Sequence, residues 1–362
     1  MGIVTVNEEN LTNIANAIRE KNRETTTYKP SEMARAIQEI KGGIPEKGIV
    51  INEYDEEGYA TDVSVVGFTE LPSYYFYSGS NNSTDYGNVI NKYLKTVRLP
   101  ENMTSIGKSV FNYCKKLQTI ELPSSLTSIG EYSFCNCGSI TTIKIPSGVT
   151  TIPTQAFSNC GLETIELPDG LTSIGKQAFN NCVELNISSL PSSLTSIGEN
   201  AFWYCSSLAL TELPSGLTSI EDSAFQGCFE LALSSLPSGL TSIGDYAFSN
   251  CTKVTIPEIP SGITIISSHV FEYLTVPKLI LQGNIERILA YAFAYTKINT
   301  LALPNVTAVP SLFSENVFKS SNILNGTGYI YVPDTLVEDF KAATNWSTYA
   351  EQIKPISEMP TE

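Results

Sequence analysis

One phrase returns through the middle of the chain at nearly constant spacing. It reads LTSIGEYSFCNC at 126–137, LTSIGKQAFNNC at 171–182, LTSIGENAFWYC at 194–205, LTSIEDSAFQGC at 217–228 and LTSIGDYAFSNC at 240–251. The cysteines that end successive periods are Cys114, Cys137, Cys160, Cys182, Cys205, Cys228 and Cys251, spaced 23, 23, 22, 23, 23 and 23 residues apart. Two further periods, 276–297 and from 298, keep the pattern without the Cys, and VSVVGFTELPSYYFY (63–77) reads as a degenerate first repeat. A unit this short cannot bury an apolar face alone, so stacked copies must share one continuous core. A repeat array also accommodates 362 residues, more than one ordinary globular core holds.

One period, LETIELPDGLTSIGKQAFNNCVE (162–184), shows the local logic. Leu162, Ile165 and Leu167 are apolar at positions 1, 4 and 6 with polar residues between, which suits a short strand with one buried face. Pro168 ends the strand because proline cannot donate to a ladder. Asp169-Gly170 turns the chain, Leu171 and Ile174 bury again, and Gly175 permits a second turn. Ala178, Phe179 and Cys182 then close the coil on the core side.

The run LxxIxLPxxLTSIGxxAFxxC resembles the BspA-type leucine-rich repeat family over about residues 94–309. The expected fold class is an α/β repeat solenoid. The resemblance implies a right-handed coil with a parallel sheet on its concave side, and a ligand taken by that sheet. Residues 7–40 place Leu11, Ile14, Ala15 and Ile18, then Met33, Ile37 and Ile40, at helical spacing, which predicts an N-terminal helical hairpin. It either covers the first coil or, since it also resembles a module of phage and prophage virion proteins, attaches the chain to a larger particle. The C-terminal segment GYIYVPDTLVEDFKAATNWSTYAEQIKPISE (328–358) predicts a last strand and a helix carrying Leu336, Phe340 and Trp346, a strand–helix cap. The organisation is then a hairpin (1–43), lead-in strands with the degenerate repeat and an insertion (44–93), the solenoid (94–325) and the cap (326–362).

Seven of the eight cysteines share one repeat position beside Phe, where Cys serves as a small hydrophobe. Buried free thiols are expected rather than disulfides, because parallel side chains on stacked coils point the same way. Cys135 breaks the series and is the candidate exposed thiol. The only histidine, His269, occupies the variable slot that holds Gln177, Asn200, Ser223 and Tyr246 in other repeats, and is expected at the surface. Its neighbours Ser267 and Ser268 do not make a triad. No CxxC pair, HExxH or phosphate loop occurs, so no catalytic residue, metal or cofactor is expected. NEYDEEGY (52–59) lacks the terminal Glu of a calcium loop and reads as a hairpin turn.

Candidate ligand-binding residues fall in three groups. Position 5 of successive strands runs Arg98, Glu121, Lys144 and Glu166, alternating in sign; this is either a self-neutralising ladder or a binding row. In four successive repeats the inner apolar residue moves from position 4 to position 3, giving Ile187, Leu210, Leu233 and Ile256. A one-place shift reverses a side chain's face, so these four either form an exposed apolar stripe or are returned to the core by a bulge. Trp203, Tyr204 and Tyr77 are aromatic candidates for stacking on sugar rings, Tyr77 leading into the insertion SGSNNSTDYGNVINKY (78–93). The stacked Thr127-Ser128 type pairs are explained by pairing between coils.

A net charge of −15 excludes phosphate backbones and anionic lipid as natural partners. No apolar run reaches a membrane span, and MGIVTVNEENLTNI lacks the pattern of a signal peptide. The sequence therefore predicts a non-enzymatic scaffold that binds a protein or glycan on a cell surface. It would be extracellular or virion-associated through residues 1–43. The alternative is a bacterial surface adhesin, and a hydrolase is the third reading.

Overall fold

The computed structural model describes residues 4–6, 48–56, 60–76 and 93–360. The predicted helical hairpin, Tyr77 and all of the insertion after it except Tyr93 lie outside them. The chain is a parallel-sheet β-solenoid of about 11 turns, leucine-rich-repeat-like. It divides into two compact units, Met1–Pro168 and Asp169–Glu362.

In the first unit, Val4–Val6, Gly48–Tyr54 and Ala60–Val66 pair antiparallel. Ala60–Val66 then pairs parallel with Thr96–Arg98, and that strand with Thr119–Glu121. Thr142–Lys144 and Thr164–Glu166 continue the same register, with Ile143 opposite Ile165. Each strand buries only its middle residue, Val97, Ile120, Ile143 or Ile165, as the apolar position 4 requires. A second ladder runs through Glu70–Leu71, Ser105–Ile106 and Ser128–Ile129. Here Thr104 and Thr127 hydroxyls donate to the carbonyl of the threonine one coil earlier, Thr69 and Thr104.

The third side of each coil is not a strand. Tyr132 and Asn136 have φ of 59° and 61°, and the residue between the two, Phe134, lies in the core. Left-handed residues at every fourth position turn alternate N–H groups the same way. Tyr132, Phe134 and Asn136 accordingly donate to the carbonyls of Thr154, Ala156 and Ser158 in the next coil. Asn tolerates this conformation and Tyr does not favour it, so the packing of the coil imposes it at the tyrosines.

Phe76, Phe111, Phe134 and Phe157 stack face to face at 5.2–5.3 Å. Gly130 lies where an added Cβ would stand 2.4 Å from the Gly107 carbonyl carbon, whereas Gly138 has open space. Gly130→Ala is expected to lower stability by about 1–3 kcal/mol by forcing two coils apart. Gly138→Ala should stay within about 0.5 kcal/mol, both read by urea unfolding.

The second unit repeats the plan. Phe179, Phe202 and Phe225 stack at 5.4–5.5 Å, and Phe248, Phe271, Phe293 and Phe318 extend the column. Its sheet is regular only toward the C-terminus, where Glu258–Ile259, Lys278–Leu281, Thr300–Ala302, Tyr329–Val332 and Ile353–Pro355 pair in parallel. After Tyr329–Val332 comes a short helix, Val337–Ala342. Phe340, Trp346 and Tyr349 are fully buried in this closing segment. Leu336 is only half-buried.

Candidate functional site

The strand side of the first unit carries the charged row. Lys144 and Glu166 form the expected ion pair at 2.8 Å. Both side chains are largely exposed, so the pair contributes about 0.2–1 kcal/mol. Arg98 instead turns to the preceding strand and binds Asp62 at 2.8 Å. Asp62 is nearly buried and also accepts a bond from Asn52. A buried carboxylate needs a partner more than the exposed Glu121 does, so it captures the arginine. Arg98 is therefore engaged in structure, and Glu121 faces solvent without an ion pair among the described residues.

The four shifted residues are in the core: Ile187 is 8% exposed, and Leu210, Leu233 and Ile256 are 0% exposed. They do not form a surface stripe. The physical reason is local. Leu185, buried three residues after Cys182, holds the start of the segment as Ile140 does after Cys137, and Leu190, half-buried, stands at the place of Ile145. Ile187 fills the same core volume from one residue earlier, and a bend at Ser188 absorbs the change. The ladder strand is lost at 185–190, 208–213 and 231–236.

Trp203 is half-buried, and its Nε1 donates to Gln226 Oε1 at 3.0 Å. Tyr204 packs edge-on against it at 4.4 Å and is 40% exposed. Gly227 makes room for the Tyr204 ring, since an added Cβ would stand 3.3 Å from it. Phe229, in the next coil, is also exposed and meets Tyr204 at 6.4 Å. The sequence reading did not single out Phe229; its signal was an aromatic ring in the slot after Cys228 that holds Ser206 and Thr252 in neighbouring repeats.

His269 departs from expectation. It is wedged between Tyr246 and Tyr291, with ring centroids 4.3 and 4.7 Å away and nearly parallel. Its Nδ1 lies 3.1 Å from Glu272 Oε2, and only about a fifth of the side chain is exposed. The slot repeats in φ as well as in sequence, so residues there stack in register and shield one another. Tyr273 and Tyr295 form a parallel stack at 4.8 Å in the second left-handed slot.

None of the eight cysteines forms a disulfide, and all are buried, Cys135 included. Cys135 is covered because it shares a column with Asn112 and Ser158 under the left-handed turns. In the first unit Cys137 and Cys160 donate to the carbonyls of Phe111 and Phe134, and in the second Cys205, Cys228 and Cys251 to those of Phe179, Phe202 and Phe225. Burial pushes their thiols up, Cys135 to about 11 and Cys137, Cys205 and Cys228 well above the ordinary range. The folded state thus holds these protons more tightly than the unfolded chain. For Cys135 that stability is intact below the ordinary thiol value of 9.0 and is lost as pH rises through about 11. We predict that a disulfide reagent titrates no thiol of the described residues at neutral pH until denaturant is added. Fast reaction of one thiol in the native protein would contradict their burial.

Among the described residues, no group of three or more His, Cys, Asp or Glu is placed to hold a metal, and no helix is long and apolar enough to cross a membrane. Stacked parallel coils with charged, aromatic and hydroxyl-bearing sides define a leucine-rich-repeat scaffold. The family described as BspA type leucine rich repeat region (6 copies) matches residues 90–209, 127–254 and 206–325, and the chain belongs to that family. Its members are generally non-catalytic scaffolds and often surface-associated. The fold is similar to that of a leucine-rich repeat protein from Bacteroides ovatus, 24% identical over 81% of this chain and 71% of that one, with a TM-score of 0.57. It is also similar to the pneumococcal vaccine antigen PcpA, 18% identical over 84% of this chain and 81% of that one, with a TM-score of 0.50. No curated protein matches the chain.

Proposed function

We propose that the protein is a non-enzymatic recognition scaffold of surface-protein or adhesin type that binds a protein or glycan on a cell surface. The observation that carries this reading is the family match over residues 90–325, in which stiff coils bonded to one another present side chains at fixed spacing. Rigid stacked strands limit the ordering cost of binding. The exposed Glu121 and the Trp203–Tyr204–Phe229 cluster supply contact residues of two kinds, charged and aromatic. The closing segment after Tyr329–Val332 serves as a cap that keeps the last coil from pairing with another chain.

A virion-attached form is a narrower proposal and rests on the sequence of residues 7–40 alone. Immunogold labelling of the source culture, separated into cell envelopes and phage-like particles, decides between the two settings. Label on envelopes supports the adhesin. Label on particles moves the same scaffold to host recognition by a virion. A full-length protein that binds no intact cell and no matrix component would sink the recognition reading.

A further inference from the structure

Three consecutive coils of the second unit differ from every other described coil in what their strand side offers. At Ser188-Ser189, Thr211-Glu212 and Ser234-Ser235 the main chain gives no hydrogen bond to a neighbouring coil and accepts none. Bonds between coils flank them, from Ser207 to the Val183 carbonyl and Glu230 to the Ser206 carbonyl on one side, and from Ala232 to the Leu210 carbonyl and Thr255 to the Leu233 carbonyl on the other, and leave these six residues open. All six residues are exposed. Elsewhere the same position is closed: Thr142–Lys144 and Thr164–Glu166 pair over three residues, as do Lys278–Leu281 and Thr300–Ala302.

The core does not demand this opening. Ile143 and Ile165 already fill the interior from position 4 at 5% and 6% exposure, against 8%, 0% and 0% for Ile187, Leu210 and Leu233 from position 3. The shifted register gives up ladder bonds for little change in the burial of that residue, and it is kept in successive coils. Its result is a row of free N–H and C=O groups beside hydroxyls, at the spacing of the coils. Unpaired donors and acceptors side by side match a ligand whose every group is both donor and acceptor. Among the coils in question the only charged side chain at these six positions is Glu212, and the chain is strongly acidic overall. Anionic ligands are repelled by that field.

Resting on the recognition reading above, we propose that the open main-chain row of coils 185–190, 208–213 and 231–236 binds an uncharged polysaccharide, laid across the coils and hydrogen-bonded to the free backbone groups and the serine and threonine hydroxyls.

The test compares the full chain with two variants by affinity electrophoresis in gels holding laminarin, mannan or xylan, with heparin and an extended acidic-free peptide as other ligands. The first variant restores the ladder register: I187T, S188I, L210T, T211I, L233T and S234I. The second leaves the core untouched and adds bulk and charge in the row: S189R with S235R. Both are expected to weaken retardation by a neutral polysaccharide at least tenfold, while F313A, an exposed residue away from the row, binds as the parent does. The register variant should also unfold at higher temperature, because the closed row gains ladder bonds. Equal retardation of the parent and the folded S189R/S235R variant overturns the inference. Binding of heparin or peptide without any neutral polysaccharide also overturns it and leaves the recognition reading standing.

Discussion

Phe225→Ala is expected to lower stability by about 3–5 kcal/mol, the cost of a large aromatic truncated in a core that cannot collapse around the gap. Phe225 is fully buried and stacks on Phe202 at 5.5 Å and on Phe248 at 5.8 Å. The cavity would open in the middle of the column, where both neighbours are held by their own coils. The Phe225 carbonyl also accepts the Cys251 thiol, so a shift of the backbone would disturb the next coil. In a stacked array each coil is stabilised by its neighbours, and a weak interface in the middle reduces cooperativity as well as stability. Urea unfolding followed by far-ultraviolet dichroism should show a lower midpoint and a shallower transition. Val183→Ala, at an exposed position one residue beyond Cys182, should change the midpoint little. A Phe225→Ala loss below about 1 kcal/mol would mean that the aromatic column is not what holds the coils together.

Much of this architecture could be read directly because each coil must fit the same neighbour. The apolar residues at positions 1 and 4, the Phe and the Cys recur for that reason, and the structure buries them, whereas position 6 is only half-buried at Leu99, Leu122 and Leu167. What could not be read is what depends on backbone conformation or on side-chain competition. Left-handed geometry at Tyr132, Asn136, Tyr204 and His269 has no single residue signature, because the coil imposes it on whatever stands there. The sequence places His269 at the surface as an ordinary variable residue; the same geometry aligns it with Tyr246 and Tyr291 and covers most of its side chain. Cys135 was expected to be exposed for breaking the series, and is covered by the same turns. Arg98 has a charged neighbour on each side, and only the burial of Asp62 decides between them. The shift at Ile187, Leu210, Leu233 and Ile256 was visible in the sequence as two alternatives. The structure settles it in favour of the core, and the main chain left open in the first three of these coils depends on hydrogen bonding that the residue pattern does not display.

The closing segment is where a second large effect is expected. Trp346→Ala should cost about 3–5 kcal/mol, and the loss should be confined to the end of the array. The Trp346 ring is fully buried, packs against Phe340 at 4.9 Å and Phe318 at 6.3 Å, and its Nε1 donates to the Pro310 carbonyl at 2.7 Å. Truncation removes the ring and leaves that carbonyl without its partner, two penalties at one site. Tyr349 and Asn345 tie the same segment to the Glu315 and Leu312 carbonyls, and burial holds the Tyr349 phenol up at about 12. These bonds all reach the last coil and none reaches farther into the unit, so the damage should not spread to Phe179 or Phe202. Hydrogen exchange is the suitable measurement because it reports opening region by region. Protection should fall over about 310–355 and stay near the parent level over 179–250. Uniform loss would make the segment part of one cooperative body and remove the argument for a separate cap. Confined loss, with the next coil's edge newly able to pair, should also bring self-association at high concentration, since an uncovered strand edge is a template for another chain.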